Sequence, residues 1–331
     1  MPTSFDAFRI AQAGDKIAGA VVETTIDELT PGDVVIKAAW SSVNYKDALA
    51  ATGAAKILKK LPLIGGIDVA GTVASSTDAR FKEGDQVLVT GYDLGVASDG
   101  GYSAYVRVPA GWVVKLPSSL TLLDAMTLGT AGFTAALSVI RLEQNGLTPG
   151  AGPVVVTGAT GGVGSVGVAI LAGLGYDVTA VTGKDQEHDY LKSLGAKTVM
   201  PRSAVEKIAG PIGKGIWAGA VDPVGGDTLA WLTKTMAYGA SIANSGLTGG
   251  VDVHTTVIPF ILRGVNLLGI DSVMCPMAPR LEVWRRLASD MKPKMLKTIA
   301  REIPLDGLPE AFVTLASGHA RGRFVVNVAA T

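Results

Sequence analysis

One cysteine and three histidines are the whole supply of thiol and imidazole metal ligands in 331 residues. Cys275 has no second cysteine to pair with, which excludes an internal disulfide framework and any multi-cysteine zinc site, and makes a reducing compartment the expectation. His188, His254 and His319 are dispersed along the chain. Net charge is also missing: 29 basic residues balance 29 acidic ones, so no global field attracts nucleic acid and an anionic ligand has to be held by local groups. No uncharged apolar run reaches membrane-spanning length, and the first ten residues carry Asp6 and Arg9 in place of an apolar signal core. The expectation is a cytoplasmic protein acting on small molecules, with neither a nucleic-acid nor a membrane partner.

Glycine, by contrast, is abundant. Its 42 residues, within a composition that is 48% hydrophobic, point to large cores with tight turns and close backbone approaches. The length suits two domains of roughly 100 to 200 residues each. The first third reads as short strands between turns, at 33–40, 65–75 and 85–90, which predicts a compact β-barrel-like domain. From Thr121 the pattern becomes helical and leads into an apolar run over 134–142. Beyond it, strands are expected at 153–157, 177–181, 197–200, 217–222, 240–244 and 266–269, with helices at 162–174, 185–194 and 228–236. Such alternation favours right-handed crossovers and a doubly wound parallel sheet. A helix over 279–291 comes next, and 323–328 reads as a last strand returning to the first domain. The expected fold is α/β, with a catalytic domain over 1–122 rejoined by 295–331 and a Rossmann domain over 123–294.

The strongest local signal is Val154-Val155-Val156-Thr157-Gly158-Ala159-Thr160-Gly161-Gly162-Val163-Gly164, an apolar strand entering a glycine-rich turn and then a helix. Glycines let the backbone approach a pyrophosphate, and the N–H groups and dipole at the helix N-terminus favour its charge. A G-x-G-x-x-G match at Gly162, Gly164 and Gly167 falls inside the predicted helix, so the working register is Ala159-x-Gly161-x-x-Gly164, with alanine in place of the first glycine. The alternative is a glycine-rich turn without a ligand. The next strand ends Thr182-Gly183-Lys184, where an NAD enzyme carries a carboxylate for the ribose hydroxyls. A hydroxyl, a glycine and a lysine suit a 2′-phosphate instead, Arg202 offers a second cation, and NADPH is the expected cofactor. Asp185 reads as the acid that opens the next helix. The plain alternative for Lys184 and Arg202 is a pair of solvated charges.

With this loop placed after an N-terminal β domain, the chain resembles the medium-chain dehydrogenase/reductase superfamily over nearly its full length. Trp40-Ser41-Ser42-Val43-Asn44-Tyr45-Lys46-Asp47-Ala48-Leu49 resembles the branch that contains bacterial acryloyl-CoA reductase (NADPH) and related quinone oxidoreductases, as do residues 63–71, 129–135 and 259–273. The resemblance implies a GroES-like β-barrel catalytic domain beside the Rossmann domain, and a homodimer. Zinc-dependent alcohol dehydrogenases of the superfamily hold catalytic zinc through a cysteine in the stretch matching 42–47 and a Gly-His-Glu segment matching 65–68. Neither ligand type stands here, so metal-free hydride transfer is implied. It further implies that Tyr45 lies beside the nicotinamide, that Leu247 and Ser272 border it, and that Arg323 approaches the cofactor; for the last three, ordinary turn packing is the alternative.

Hydride arriving at the β-carbon of an enoyl thioester pushes charge onto the carbonyl oxygen, so a nearby donor lowers the barrier. Tyr45 and Asn44 are the candidate donors, against a packed aromatic and a turn residue as plain alternatives, and Asp47 caps or orients the adjoining helix. Lys56, Lys59 and Lys60 offer cations for the phosphates of CoA, or form a solvated face. The implied activity is NADPH-dependent reduction of a short α,β-unsaturated acyl-CoA, acryloyl-CoA to propanoyl-CoA foremost. A quinone or general enone reductase and a non-catalytic NADPH-binding protein are the competing readings.

Overall fold

A computed structural model describes residues 3–205 and 208–329. It resolves into two compact units, one of residues 1–130, 273–281 and 297–331, the other of 131–272 and 282–296.

The first unit is built on antiparallel strands. Its main sheet runs in the order Ala300–Pro304, Arg323–Asn327, Val34–Val43, Asp68–Ser76, Gln86–Thr90, Val114–Lys115, with Tyr105–Val108 also paired to Val34–Val43. Alternating β-branched residues turn one face inward, and Val34, Ile36, Val69, Val87, Val89, Val106 and Val326 meet there in one core. The pair Ala300–Pro304 and Arg323–Asn327 is parallel. Register fixes what emerges together: Phe324 faces Val43 and Asp68 faces Thr90, so Asn44, Asp68, Thr90 and Arg323 collect at one end of the sheet. A hairpin of Phe5–Ala13 and Lys16–Thr24, turned at Gly14 (φ 60°), completes the unit. Sequence reading missed this hairpin, because most of its second strand faces solvent and shows little apolar alternation.

The chain leaves the first unit inside the helical segment Leu122–Gln144, immediately after a break at Gly129 (φ 50°, ψ −156°). The expected boundary at residue 122 falls earlier because residues up to Thr130 are tied to the first unit: Thr130 N–H and Oγ1–H both bond the Asp68 carboxylate, at 2.9 and 2.5 Å. Gly129 itself has no room for a side chain, since a methyl group there would lie 2.6 Å from both Arg323 Nη2 and Ser42 Oγ. Leu122–Gln144 is long and apolar enough in composition to cross a membrane, but 83% of its most apolar stretch is buried, as in a core helix.

The second unit holds six parallel strands in the order Thr198–Pro201, Asp177–Thr182, Pro153–Val156, Trp217–Asp222, Met236–Asn244, Asn266–Gly269. Numbered along this unit, the order is 3-2-1-4-5-6, the doubly wound arrangement, whose ligand crevice opens between the first and fourth strands at their C-terminal ends. The helix expected over 185–194 is a short 3-10 turn, Asp185–Glu187, succeeded by the helix His188–Ser193.

The excursion of 273–281 into the first unit had no counterpart in the sequence reading. Its anchor is Arg280, wholly buried, which donates to Thr90 O at 2.7 Å and to Cys275 O at 3.3 Å and lies 4.3 Å from the centroid of the Tyr92 ring.

Candidate functional site

In the second unit the strand Pro153–Val156 delivers Thr157 to the turn at the carboxyl edge of the sheet. Gly158 takes φ +52°, a left-handed conformation that favours glycine, immediately before Ala159. The helix Gly162–Gly173 starts at once, and the N–H groups of Gly162, Val163 and Gly164 have no preceding helical carbonyl to bond. A methyl group on Gly164 would lie 2.3 Å from Gly158 O, so only glycine lets the helix approach the turn this closely. Ala159 N–H and Gly161 N–H are bonded to Val181 O and Gly158 O, both at 3.0 Å, so the groups left at this helix N-terminus that could meet an anion are those of Gly162, Val163 and Gly164. The competing match through Gly167 lies within the helix, as expected.

The end of the next strand carries the predicted cations. Lys184 N–H bonds Thr182 Oγ1 at 3.1 Å, and the Arg202 guanidinium covers Gly183 so closely that a methyl group there would meet it at 3.0 Å. Burial holds the Lys184 ammonium below its ordinary pKa, with Glu187 pulling it back up. Lys184 and Arg202, 18 residues apart in sequence, therefore flank one glycine, a geometry that suits a phosphate dianion. Leu247, 55% exposed, lines a cavity of about 340 Å³ together with Gly225, Gly226, Asn244 and Ser245; Ile270, two residues before the half-buried Ser272, lines it too.

At the sheet end of the first unit, Asp68 is the hub. Wholly buried, it accepts from Ser42 Oγ (2.6 Å), Asn44 Nδ2 (2.8 Å) and both donors of Thr130, and Arg323 Nη2 stands 3.6 Å away. Arg323 in turn donates to Thr127 O, Val43 O, Asn44 Oδ1 and Ser42 Oγ. Burial lowers its pKa, and the charges of Asp68 and Asp47 oppose that shift. The Asn44 amide bridges the two, giving one of its two N–H groups to Asp68 and accepting from Arg323 at its oxygen, and Arg323, 3% exposed, spends its guanidinium inside the unit. Both position their neighbours.

Asn44 opens the helix Tyr45–Thr52, and its N–H bonds Asp47 Oδ2 at 2.8 Å, the capping contact expected of Asp47. The other Asp47 oxygen takes the N–H of Ile67 at 3.1 Å. Burial pushes the Asp47 carboxyl up to about 7, against the N–H groups that hold it down, and the Asp68 charge adds to the push. Tyr45, half-buried at the first position of this helix, has a hydroxyl with no hydrogen-bond partner among the described residues. The proposed CoA lysines are partly spoken for: Lys59 pairs with Asp93 at 2.7 Å and Lys60 bonds Thr30 Oγ1 at 2.8 Å, whereas Lys56 is exposed.

Two sequence families match, the Alcohol dehydrogenase GroES-like domain over residues 30–118 and the Zinc-binding dehydrogenase over 162–289. The chain is 51% identical over 330 residues to "Putative quinone oxidoreductase YhfP" of Bacillus subtilis, covering 99% of this chain and 100% of that one. The chain belongs to the medium-chain dehydrogenase/reductase superfamily. Acrylyl-CoA reductase AcuI of Ruegeria pomeroyi is 49% identical over 314 residues, 95% of each chain. Among solved structures, the yhdH oxidoreductase of Salmonella enterica in complex with NADP matches with a TM-score of 0.95 at 45% identity, over 97% of this chain and 99% of that one. Bacillus subtilis yhfP with NAD bound matches with 0.96 at 51%, over 98% and 100%.

Zinc, the metal of many superfamily members, does not fit these residues. Ile67 stands in the Gly65 to Asp68 segment where a histidine would be needed, Asp68 is saturated by its donors, and among the described residues no three His, Cys, Asp or Glu side chains converge. The role of Asp68 as a hub is not local in sequence: Ser42 and Thr130 reach it from 26 and 62 residues away.

Proposed function

We propose that this oxidoreductase is a cytoplasmic, NADPH-dependent reductase of short α,β-unsaturated acyl-CoA thioesters, acryloyl-CoA to propanoyl-CoA foremost, working without metal. NADPH, when bound, supplies the hydride. Within the 159–164 turn the N–H groups at the helix start, Gly162 to Gly164, would hold its pyrophosphate, Lys184 and Arg202 its 2′-phosphate, and the wall formed by Leu247 and the segment ending at Ser272 its nicotinamide side. The Tyr45 hydroxyl hydrogen-bonds the thioester oxygen as charge builds there, and the resulting enolate takes its α-carbon proton from solvent water. The observation that carries this reading is that, of the hydroxyl and amide side chains in 41–49, Tyr45 alone is without a partner among the described residues; Ser41, Ser42 and Asn44 are all bonded to Asp68. The 49% identity to an enzyme named acrylyl-CoA reductase supports the substrate class.

A quinone or enone reductase is the second reading, favoured by the YhfP relative and by the internal pairing of Lys59 and Lys60. NADPH consumption measured in parallel with acryloyl-CoA, crotonyl-CoA, a quinone and an enal decides between them. We expect the highest kcat/KM for acryloyl-CoA. A quinone value far above it would select the second reading, and no turnover of any would leave a cofactor-binding protein.

For assembly we propose a homodimer formed through Asn266–Gly269. Among the described residues this strand ends its sheet with one edge unpaired and its Leu267 is 46% exposed, and Ile261 and Leu262 of the preceding helix Ile258–Arg263 are 69% and 62% exposed.

A further inference from the structure

Asp222 ends the fourth strand of the doubly wound sheet, next to the strand that carries the dinucleotide turn, and is wholly buried. Among the described residues no cation partners it. Its carboxylate is met by Thr157 Oγ1 (2.5 Å) and Val224 N–H (3.1 Å) at one oxygen, and by Gly225 N–H (3.1 Å) and Asn244 Nδ2 (3.0 Å) at the other. A buried carboxylate is costly unless its lone pairs are filled, and four converging donors demand a group that only accepts. Asparagine would turn an N–H against one of them.

The donors come from three strand ends. Thr157 leads directly into Gly158 and the phosphate turn; Gly225 and Asn244 belong to the wall of the 340 Å³ cavity. These turns also touch one another through glycine. A methyl group on Gly246 would lie 2.1 Å from Pro223 O, one on Gly225 2.8 Å from Gly246 O, and one on Gly158 3.0 Å from Val224 Cγ2. With no slack between them, a shift of one turn is passed to the next.

We infer that Asp222 is a positioning residue that holds the phosphate turn and the cavity wall in register, so that a ligand spanning both binds more tightly than one occupying the turn alone. This rests on the dinucleotide reading of the turn, and the ligands can be chosen to separate the two. NADPH spans both features; 2′,5′-ADP carries only the phosphate end. Calorimetric titration of Asp222→Asn should show NADPH weakened about tenfold or more, as for the loss of a charged hydrogen-bonded anchor, with 2′,5′-ADP changed less than about twofold. Thr157→Val, which removes one arm of the knot, should move NADPH in the same direction by a smaller factor, and Thr157→Ser should restore it. Equal weakening of both ligands, or of neither, would overturn the inference. Should Asp222→Asn fail to fold, as judged by its thermal melt, the Thr157 pair decides alone: a Thr157→Val protein with wild-type NADPH affinity sinks it. Failure of wild type to bind 2′,5′-ADP would instead remove the 2′-phosphate reading of Lys184 and Arg202, and the same comparison then runs with NADH against 5′-AMP.

Discussion

Tyr45 keeps its ring packing when only its hydroxyl is removed, so Tyr45→Phe isolates the hydrogen bond from the fold. If the hydroxyl engages the thioester oxygen as charge develops, the variant should lose kcat by about 10- to 100-fold while KM for the acyl-CoA moves little. Steady-state kinetics with acryloyl-CoA would show this, and a change confined to KM would argue for uniform binding instead. Two residues along, Asp47 adds a pH dependence. Its carboxyl is raised by burial to about 7, above the ordinary 3.8. The folded state therefore binds its proton more tightly than the unfolded chain does. That contribution to stability is complete below about 4 and is lost as the pH rises through about 7, with a slope of at most about 1.4 kcal/mol per pH unit. Denaturant unfolding of wild type and Asp47→Asn between pH 5 and 8 should show a smaller decline with pH in the variant. Parallel declines would show that Asp47 does not titrate in this range.

At the scale of the element, the strand Asp177–Thr182 matters because it ends in Gly183 and Lys184, beside the Arg202 guanidinium. Lys184→Ala should weaken NADPH by ~1 to 3 kcal/mol and leave NADH nearly unchanged, because only the former offers a charged partner. Fluorescence titration with both cofactors tests it, and equal affinities in wild type would count against the 2′-phosphate site; the NAD-bound structure of the relative yhfP gives that comparison an edge. This strand end was legible in sequence, as were the strand before the turn and the alternation of a doubly wound sheet, because period, glycine spacing and helix starts are local signals; the strand order needed the fold. Arg202 was legible only as a cation somewhere after the next strand; its placement over Gly183 needed the fold. Asp68, Asp222 and Arg280 were not legible at all. Each depends on at least one distant partner, Thr130 for Asp68, Thr157 for Asp222 and Thr90 for Arg280, between 62 and 190 residues away. The bond between Arg323 and Asn44, 279 residues apart, was likewise invisible from either end.

For the molecule as a whole, prolonged chelation should leave NADPH-dependent reduction unchanged, and a loss of activity restored by added zinc would overturn the metal-free reading. Sedimentation should give a dimer in wild type and a monomer in Leu267→Lys, which places a charge on the free edge of Asn266–Gly269; a wild-type monomer would refute the interface. The path of the chain through its two units carries a further consequence for synthesis. Arg323 bonds Val43 O across 280 residues, and the strand it opens pairs with Val34–Val43 in the middle of the first unit's sheet. During translation Val34–Val43 must therefore wait, with that edge open, until Arg323–Asn327 has been made. The six strands of the second unit, all between residues 153 and 269, have emerged by then. The unit encoded first is thus the one completed last, and the final strand closes it.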